Sequence, residues 1–125
     1  IFDDASVSVI NLATIAAIGR EAGQDLDTRR FRANVVIASE STEAFVEDSW
    51  IGGQLVFGNP ETGPIVSLTV RDPRCVMLNI DPDTAQQDAR IMKAAVRLND
   101  NNAGAYGTVV RTGQITVGDS VSLMI

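Results

Sequence analysis

Cys75 is the residue of this chain best equipped for soft-metal or nucleophilic chemistry, and it stands in the segment Asp72-Pro73-Arg74-Cys75. A thiolate is a soft ligand, and a cationic neighbour such as Arg74 favours the thiolate over the thiol. Pro73 stiffens the approach. The competing reading is a buried, inert cysteine at the start of a strand, the commoner fate of a lone cysteine. In a regular strand Arg74 and Cys75 would face opposite ways. Both can serve one ligand only where a loop or bulge intervenes.

A second cluster is Arg29-Arg30-Phe31-Arg32-Ala33-Asn34, which places three of the ten basic residues within four positions. If the segment is extended, Arg30, Arg32 and Asn34 share one face while Phe31 and Ala33 share the other. Guanidinium forks suit phosphate oxygens and planar heterocycles. The alternative is that these arginines pair on the surface with some of the 16 acidic residues. Glu47-Asp48-Ser49-Trp50 offers two carboxylates and an indole to a pocket, or a tryptophan plug at a turn. Tyr106, between Gly104 and Gly107, is either a pocket hydroxyl or a strand-entry aromatic.

Several chemistries are excluded by composition. The chain has no histidine and one cysteine. Ser-His-Asp and Cys-His catalysis, His-ligated zinc or haem, internal disulfides and cysteine-built clusters therefore fall away. A net charge of -6 argues against nonspecific nucleic-acid or anionic-membrane partners. No apolar run approaches the ~20 residues of a bilayer span. The unpaired cysteine suits a reducing compartment, and a cytoplasmic location is expected. The chain begins with Ile1, so it reads as a fragment or a trimmed chain, and its length suits one domain over residues 1–125.

The elements that must hold these groups are mostly short strands. Residues 6–10, 34–38, 54–57, 65–70 and 76–80 read as strands, as do 108–111, 114–117 and 120–125. Asn11 is expected to cap a first helix carrying Leu12, Ile15, Ala16 and Gly19. Ile91, Ala94, Ala95 and Leu98 give residues 86–98 helical spacing. The glycines of Gly113-Gln114-Ile115-Thr116-Val117-Gly118-Asp119 predict a closing hairpin and meander. Together these predict a mainly β (α+β) fold, a small closed or nearly closed barrel of short antiparallel strands with two packed helices.

The order of these motifs along the chain is more specific than any one of them. Arg-Phe-Arg-x-Asn, Glu-Asp-x-Trp-x-Gly, Arg-Cys followed by Asp-Pro-Asp-Thr, Gly-x-Tyr-Gly and Gly-x-Ile-x-Val-Gly-Asp-x-Val resemble, in sequence, the MOSC domain. That family includes the C-terminal domain of molybdenum cofactor sulfurases and reductases of the amidoxime-reducing type. The resemblance covers residues 6–125 and implies a barrel like the small domain of pyruvate kinase. It implies molybdenum cofactor (molybdopterin) as ligand, with Cys75 as the catalytic residue and sulfur ligand to the metal. Arg32, Asn34, Arg74 and Tyr106 would surround the pterin or its phosphate, with Arg30 helping. The implied partners are a small N-hydroxylated substrate and a redox protein that supplies electrons, with no nucleic acid and no membrane.

Alternatives from other classes are a sulfur or cofactor carrier using a Cys75 persulfide, as in the pyridoxal-phosphate sulfurase branch, and a barrel without catalysis. The sequence departs from the family pattern at Ala33, where proline is usual. The N-terminal companion β-barrel domain and a ferredoxin-like extension are both expected to be missing from this chain, and the piece alone could be inactive.

Overall fold

A computed structural model describes residues 6–124; Ile1 and Ile125, the latter the end of the predicted strand 120–125, lie outside the described residues. β1 (Ser6–Asn11) runs straight into α1 (Leu12–Ala22), and a crossover leads to the short β2 (Val35–Ile37). β3 (Gln54–Phe57) and β4 (Ile65–Pro73) form a hairpin. α2 (Ala89–Asn99) then precedes the long β5 (Asn102–Arg111) and the terminal β6 (Val121–Met124). One six-stranded sheet has the order β2-β1-β5-β4-β3-β6.

This sheet curls into a half-barrel and stays open, which corrects the expectation of a closed or nearly closed barrel. β2 and β6 are its two ends, and no pairing joins them among the described residues. Nor is it all antiparallel. β1 and β2 are parallel, as a helical crossover from one strand to its neighbour demands. The curl comes from irregular pairing of β4 with β5, whose register shifts at three places.

Three segments predicted as extended are not. Residues 29–31 fall in a 3-10 turn, Thr28–Phe31, and 76–79 form another, Val76–Asn79. Residues 114–117 form no strand. The Asp119 N–H donates to the Thr116 carbonyl, and the Asp119 carboxylate accepts from the Thr116 N–H, so this stretch closes as a turn. β6 accordingly pairs with β3 and makes no hairpin with β5. The second helix begins at Ala89, three residues later than expected, because the Asp88 side chain caps it by accepting from the Arg90 N–H. Its Leu98 faces out and is 38% exposed.

Alternation along the strands feeds two cores. Ile10 joins Ile15, Ile18, Phe31, Leu78 and Ile91 beneath the two helices. Val9 turns the other way, to Leu55, Phe57, Val66 and Leu68. In β5, Ala103 and Ala105 enter different cores although they are two apart. Gly104 between them has φ 94°, a conformation that reverses the alternation, and a Cβ there would lie 2.7 Å from the Val9 carbonyl oxygen. That kink is what delivers Tyr106 to the cleft side of the strand.

The first helix is anchored by a residue that looked like a pocket acid. Glu47, in the turn Val46–Trp50, is fully buried. Its carboxylate accepts from the Asn11 N–H at 2.9 Å and from the Thr14 hydroxyl at 2.7 Å, at the positive end of α1. Asn11 occupies the cap position, yet its side chain engages Ser39 instead of the helix. Trp50 packs half-buried against the second core, as the plug reading expects.

Burial pushes the Glu47 carboxyl above its ordinary 4.5, against the hydrogen bonds that favour its charged form. A raised folded-state value means that the associated stability is complete below about pH 4.5 and is lost as pH rises through the raised value. Glu47→Gln is expected to flatten this fall in urea unfolding measured between pH 4 and 7. Glu47→Ala, which strands the Asn11 N–H and the Thr14 hydroxyl, is expected to cost about 3 kcal/mol in the same assay.

Candidate functional site

The arginine segment reaches the site by a tight turn. Asp27 caps the 3-10 turn by accepting from the Arg29 N–H, and Arg32 leaves it with φ 52° in the left-handed region. The predicted sharing of one face by Arg30, Arg32 and Asn34 is therefore replaced by a corner that sends them three ways. Arg29 pairs with Asp27 and Asp83 on the surface, as the ion-pair alternative has it. Arg30 is buried, directed at the Leu78 carbonyl and, at 3.5 Å, at Asp81. Arg32 is exposed, with no carboxylate within ion-pair distance among the described residues.

Asn34 has a different task. Its side-chain oxygen accepts from the Ser8 N–H at 2.9 Å and from the Ser8 hydroxyl at 3.2 Å, while its own N–H donates to Ser8. It thus ties the arginine turn to β1.

Cys75 stands at the next corner. β4 ends at Pro73 after a register shift between Arg71 and Pro73, and Cys75 caps the 3-10 turn Val76–Asn79. The backbone of Arg74 is pinned on both sides. Its N–H donates to the Asn101 carbonyl, and its carbonyl accepts from the Asn101 amide at 2.7 Å. This is the break in strand geometry that the neighbouring arginine and cysteine required. Cys75 is exposed and lies outside β4, so it is not the buried cysteine at a strand start of the competing reading.

The Arg74 side chain turns inward. One terminal nitrogen donates to the Asp72 carboxylate at 2.6 Å and to the Ala103 carbonyl at 3.4 Å, and the other donates to the Phe31 carbonyl. Its guanidinium lies 5.5 Å from the centre of the Phe31 ring, within cation–π range. Nε alone is buried without a partner. Burial pushes the Asp72 carboxyl up, against the pull of Arg74. Burial, then the charge of Asp72 close by, also raises the Tyr106 hydroxyl above its ordinary value.

These corners enclose a cleft of about 190 Å³ whose lining includes Arg30, Arg32, Asp72, Arg74, Cys75 and Tyr106. Five of the six residues expected at the site meet here. Asn34 does not line the cleft, but its partner Ser8 does. Asp72 was quoted in the cysteine motif without a role. Its position two residues before an arginine, at the proline-marked end of a strand, was the available signal. A wider, largely apolar cleft of about 890 Å³ follows the open seam between β2 and β6; Asn34 lines it, and Cys75 does not.

The donor set fits an anionic cofactor that brings its own metal. The cleft offers a soft thiol and, at Arg32, a guanidinium without an ion pair among the described residues, with the Arg74 guanidinium behind it. Among the described residues no cluster of three or more acidic, histidine or cysteine side chains could cage a metal. Further ligands for a metal at Cys75 would have to arrive with the cofactor. At about 190 Å³ the cleft is smaller than sites that enclose a drug-sized ligand, so it would grip one end of such a group.

The family model described as the MOSC domain matches residues 2–122. Mitochondrial amidoxime reducing component 2 of Bos taurus is 29% identical over 98% of this chain and 38% of its own length. The Homo sapiens protein of that name is 27% identical over 90% of this chain and 35% of its own. Component 1 of Danio rerio is 26% identical over 95% of this chain and 37% of its own. The chain thus spans less than two-fifths of these curated relatives. The crystal structure of the YUAD protein of Bacillus subtilis superposes with a TM-score of 0.74 at 18% identity, covering 98% of this chain and 65% of that one, and shows the same fold. No helix among the described residues is long and apolar enough to cross a membrane. With a thiol and guanidinium cleft on this scaffold and a family match across nearly its whole length, the chain belongs to the MOSC domain family.

Proposed function

We propose that this chain is the molybdenum-cofactor-binding module of a reductase of N-hydroxylated compounds. The observation that carries the reading is that the exposed Cys75 lines one cleft together with Arg32 and Arg74. The amidoxime-reducing names of its relatives support the substrate class. In this reading the Cys75 thiolate ligates molybdenum. Arg32, with no ion pair among the described residues, holds the phosphate or pterin, and Arg74 positions the cysteine corner. Arg30 adds positive charge from beneath, and Asn34 acts through Ser8 by fixing the arginine turn. The Tyr106 hydroxyl borders the space where a substrate's N–O group would lie.

When bound, the cofactor supplies a two-electron oxygen-atom transfer, and the chain contributes ligation, orientation and field. Reduction of an N–OH group to N–H consumes two electrons and two protons and releases water. The electrons come from a separate redox protein. A reducing compartment, of which the cytoplasm is one, keeps the thiol available.

Elemental analysis of the intact protein from molybdate-supplied cells tests this. Wild-type protein is expected to carry molybdenum and Cys75→Ala to lack it; equal contents in the two would reject the ligand role. A mass gain of one sulfur on the Cys75 peptide, lost on reduction and without molybdenum, would favour the persulfide carrier. Arg32→Ala is expected to weaken cofactor retention on the order of tenfold. Because Arg32 is exposed and has no ion pair among the described residues, the stability of this variant to urea is expected to change by less than about 0.5 kcal/mol. Retention equal to wild type would remove Arg32 from the site.

A further inference from the structure

Asp72 has no part in the ligand set above, yet it is the most enclosed charged side chain lining the cleft. It is 4% exposed, against 9% for Arg30, and its ion pair with Arg74 leaves the two side chains only 5% and 10% accessible. A buried ion pair contributes little net stability over well-packed hydrocarbon, because desolvation of two charges offsets their attraction. Stability is therefore a weak reason for a carboxylate at this place. Geometry is a better one.

A guanidinium has five N–H donors in a rigid fork, so one strong partner sets the direction of the rest. Asp72 holds one terminal nitrogen of Arg74 at 2.6 Å. With that edge fixed, the other terminal nitrogen meets the Phe31 carbonyl, one residue from Arg32, and the plane lies beside the Phe31 ring. The wall that carries Cys75 is thereby tied to the wall that carries Arg32. The nitrogen that Asp72 holds also meets the Ala103 carbonyl of β5, the strand that carries Tyr106 into the same cleft. One buried acid thus bears, through Arg74, on the Cys75 corner, the arginine turn and β5.

We propose that Asp72 is a positioning residue, which locks Arg74 in the orientation that shapes the cleft around Cys75 before any ligand enters. Its importance for catalysis rests on the cofactor reading above; its action on the Arg74 side chain does not.

Tyr106 and Cys75 both line the cleft, so each can report on it. In the intact protein, Asp72→Asn is expected to shift and broaden the 13C-tyrosine ring resonance that Tyr106→Phe removes. Loss of the carboxylate also leaves the cleft more positive. The reaction of Cys75 with an anionic disulfide reagent, Ellman's reagent, is expected to quicken about threefold or more. Asp72→Glu should restore part of both signals, which general loosening of the fold would not. Asp72→Asn that folds with an unchanged tyrosine resonance and thiol rate would overturn the proposal. Should Asp72→Asn fail to fold, Arg74→Lys keeps the charge and loses the fork. It is expected to show the tyrosine shift while the charge of the cleft stays the same, and an unchanged tyrosine resonance would equally overturn the proposal. Both reporters are read on protein from cells grown without molybdate, so that no metal covers Cys75. Absence of the metal from intact protein of molybdate-supplied cells would count against the cofactor reading, while altered reporters would still uphold the role of Asp72.

Discussion

The hold of Arg74 on three separate parts of the chain is the interaction on which the site depends. Its guanidinium bonds the end of β4 through Asp72, β5 through the Ala103 carbonyl and the arginine turn through the Phe31 carbonyl. Its backbone is held from both directions by Asn101. Cys75 follows it directly, so the thiol inherits a position fixed by contacts far apart in sequence. Without that tie the two walls of the cleft would move independently. A ligand would then have to order them at the moment of binding, at a cost in affinity.

The surrounding fold supplies what the tie needs. The register shifts in β4 against β5 end the strand just where the cysteine corner begins. Gly104 redirects β5 so that Ala103 fills the helix-side core while Tyr106 faces the cleft. The Glu47 anchor fixes α1 and with it the loop of residues 38–50. Electrostatics run opposite to the whole. A chain of net charge -6 gathers three guanidinium groups around one small cleft, with Asp72 as its enclosed acid. A local positive field in an acidic protein suits an anionic ligand and repels general polyanion binding elsewhere.

Much of this was legible in the sequence, for identifiable reasons. β1, α1, β2 and the amphipathic run of α2 follow from apolar periodicity and stop signals such as Gly23, which closes α1 in the left-handed region. The cluster of Cys75, Arg30, Arg32, Arg74 and Tyr106 followed from motif order. Short apolar runs were the weak point. Residues 76–79 and 114–117 alternate or cluster like strands, but a strand exists only where a partner edge is available, and none is offered there. The turn at Thr28–Phe31 likewise follows from the Asp27 cap, whose effect on backbone direction the side-chain pattern does not reveal. The burial of Glu47 depends on residues 33 or more positions away, so no local pattern could have exposed it. The inward set of Arg74 joins the nearby Asp72 to a Phe31 carbonyl 43 positions away, of which only the first was open to a local reading.

The account centres on the sulfur of Cys75 as a direct neighbour of molybdenum. Molybdenum K-edge X-ray absorption of the intact protein, compared between wild type and Cys75→Ser, measures that contact directly. The account expects the sulfur shell of the metal to shrink, with oxygen replacing it, in the serine variant. Metal-loaded proteins with the same sulfur shell in both forms would contradict it.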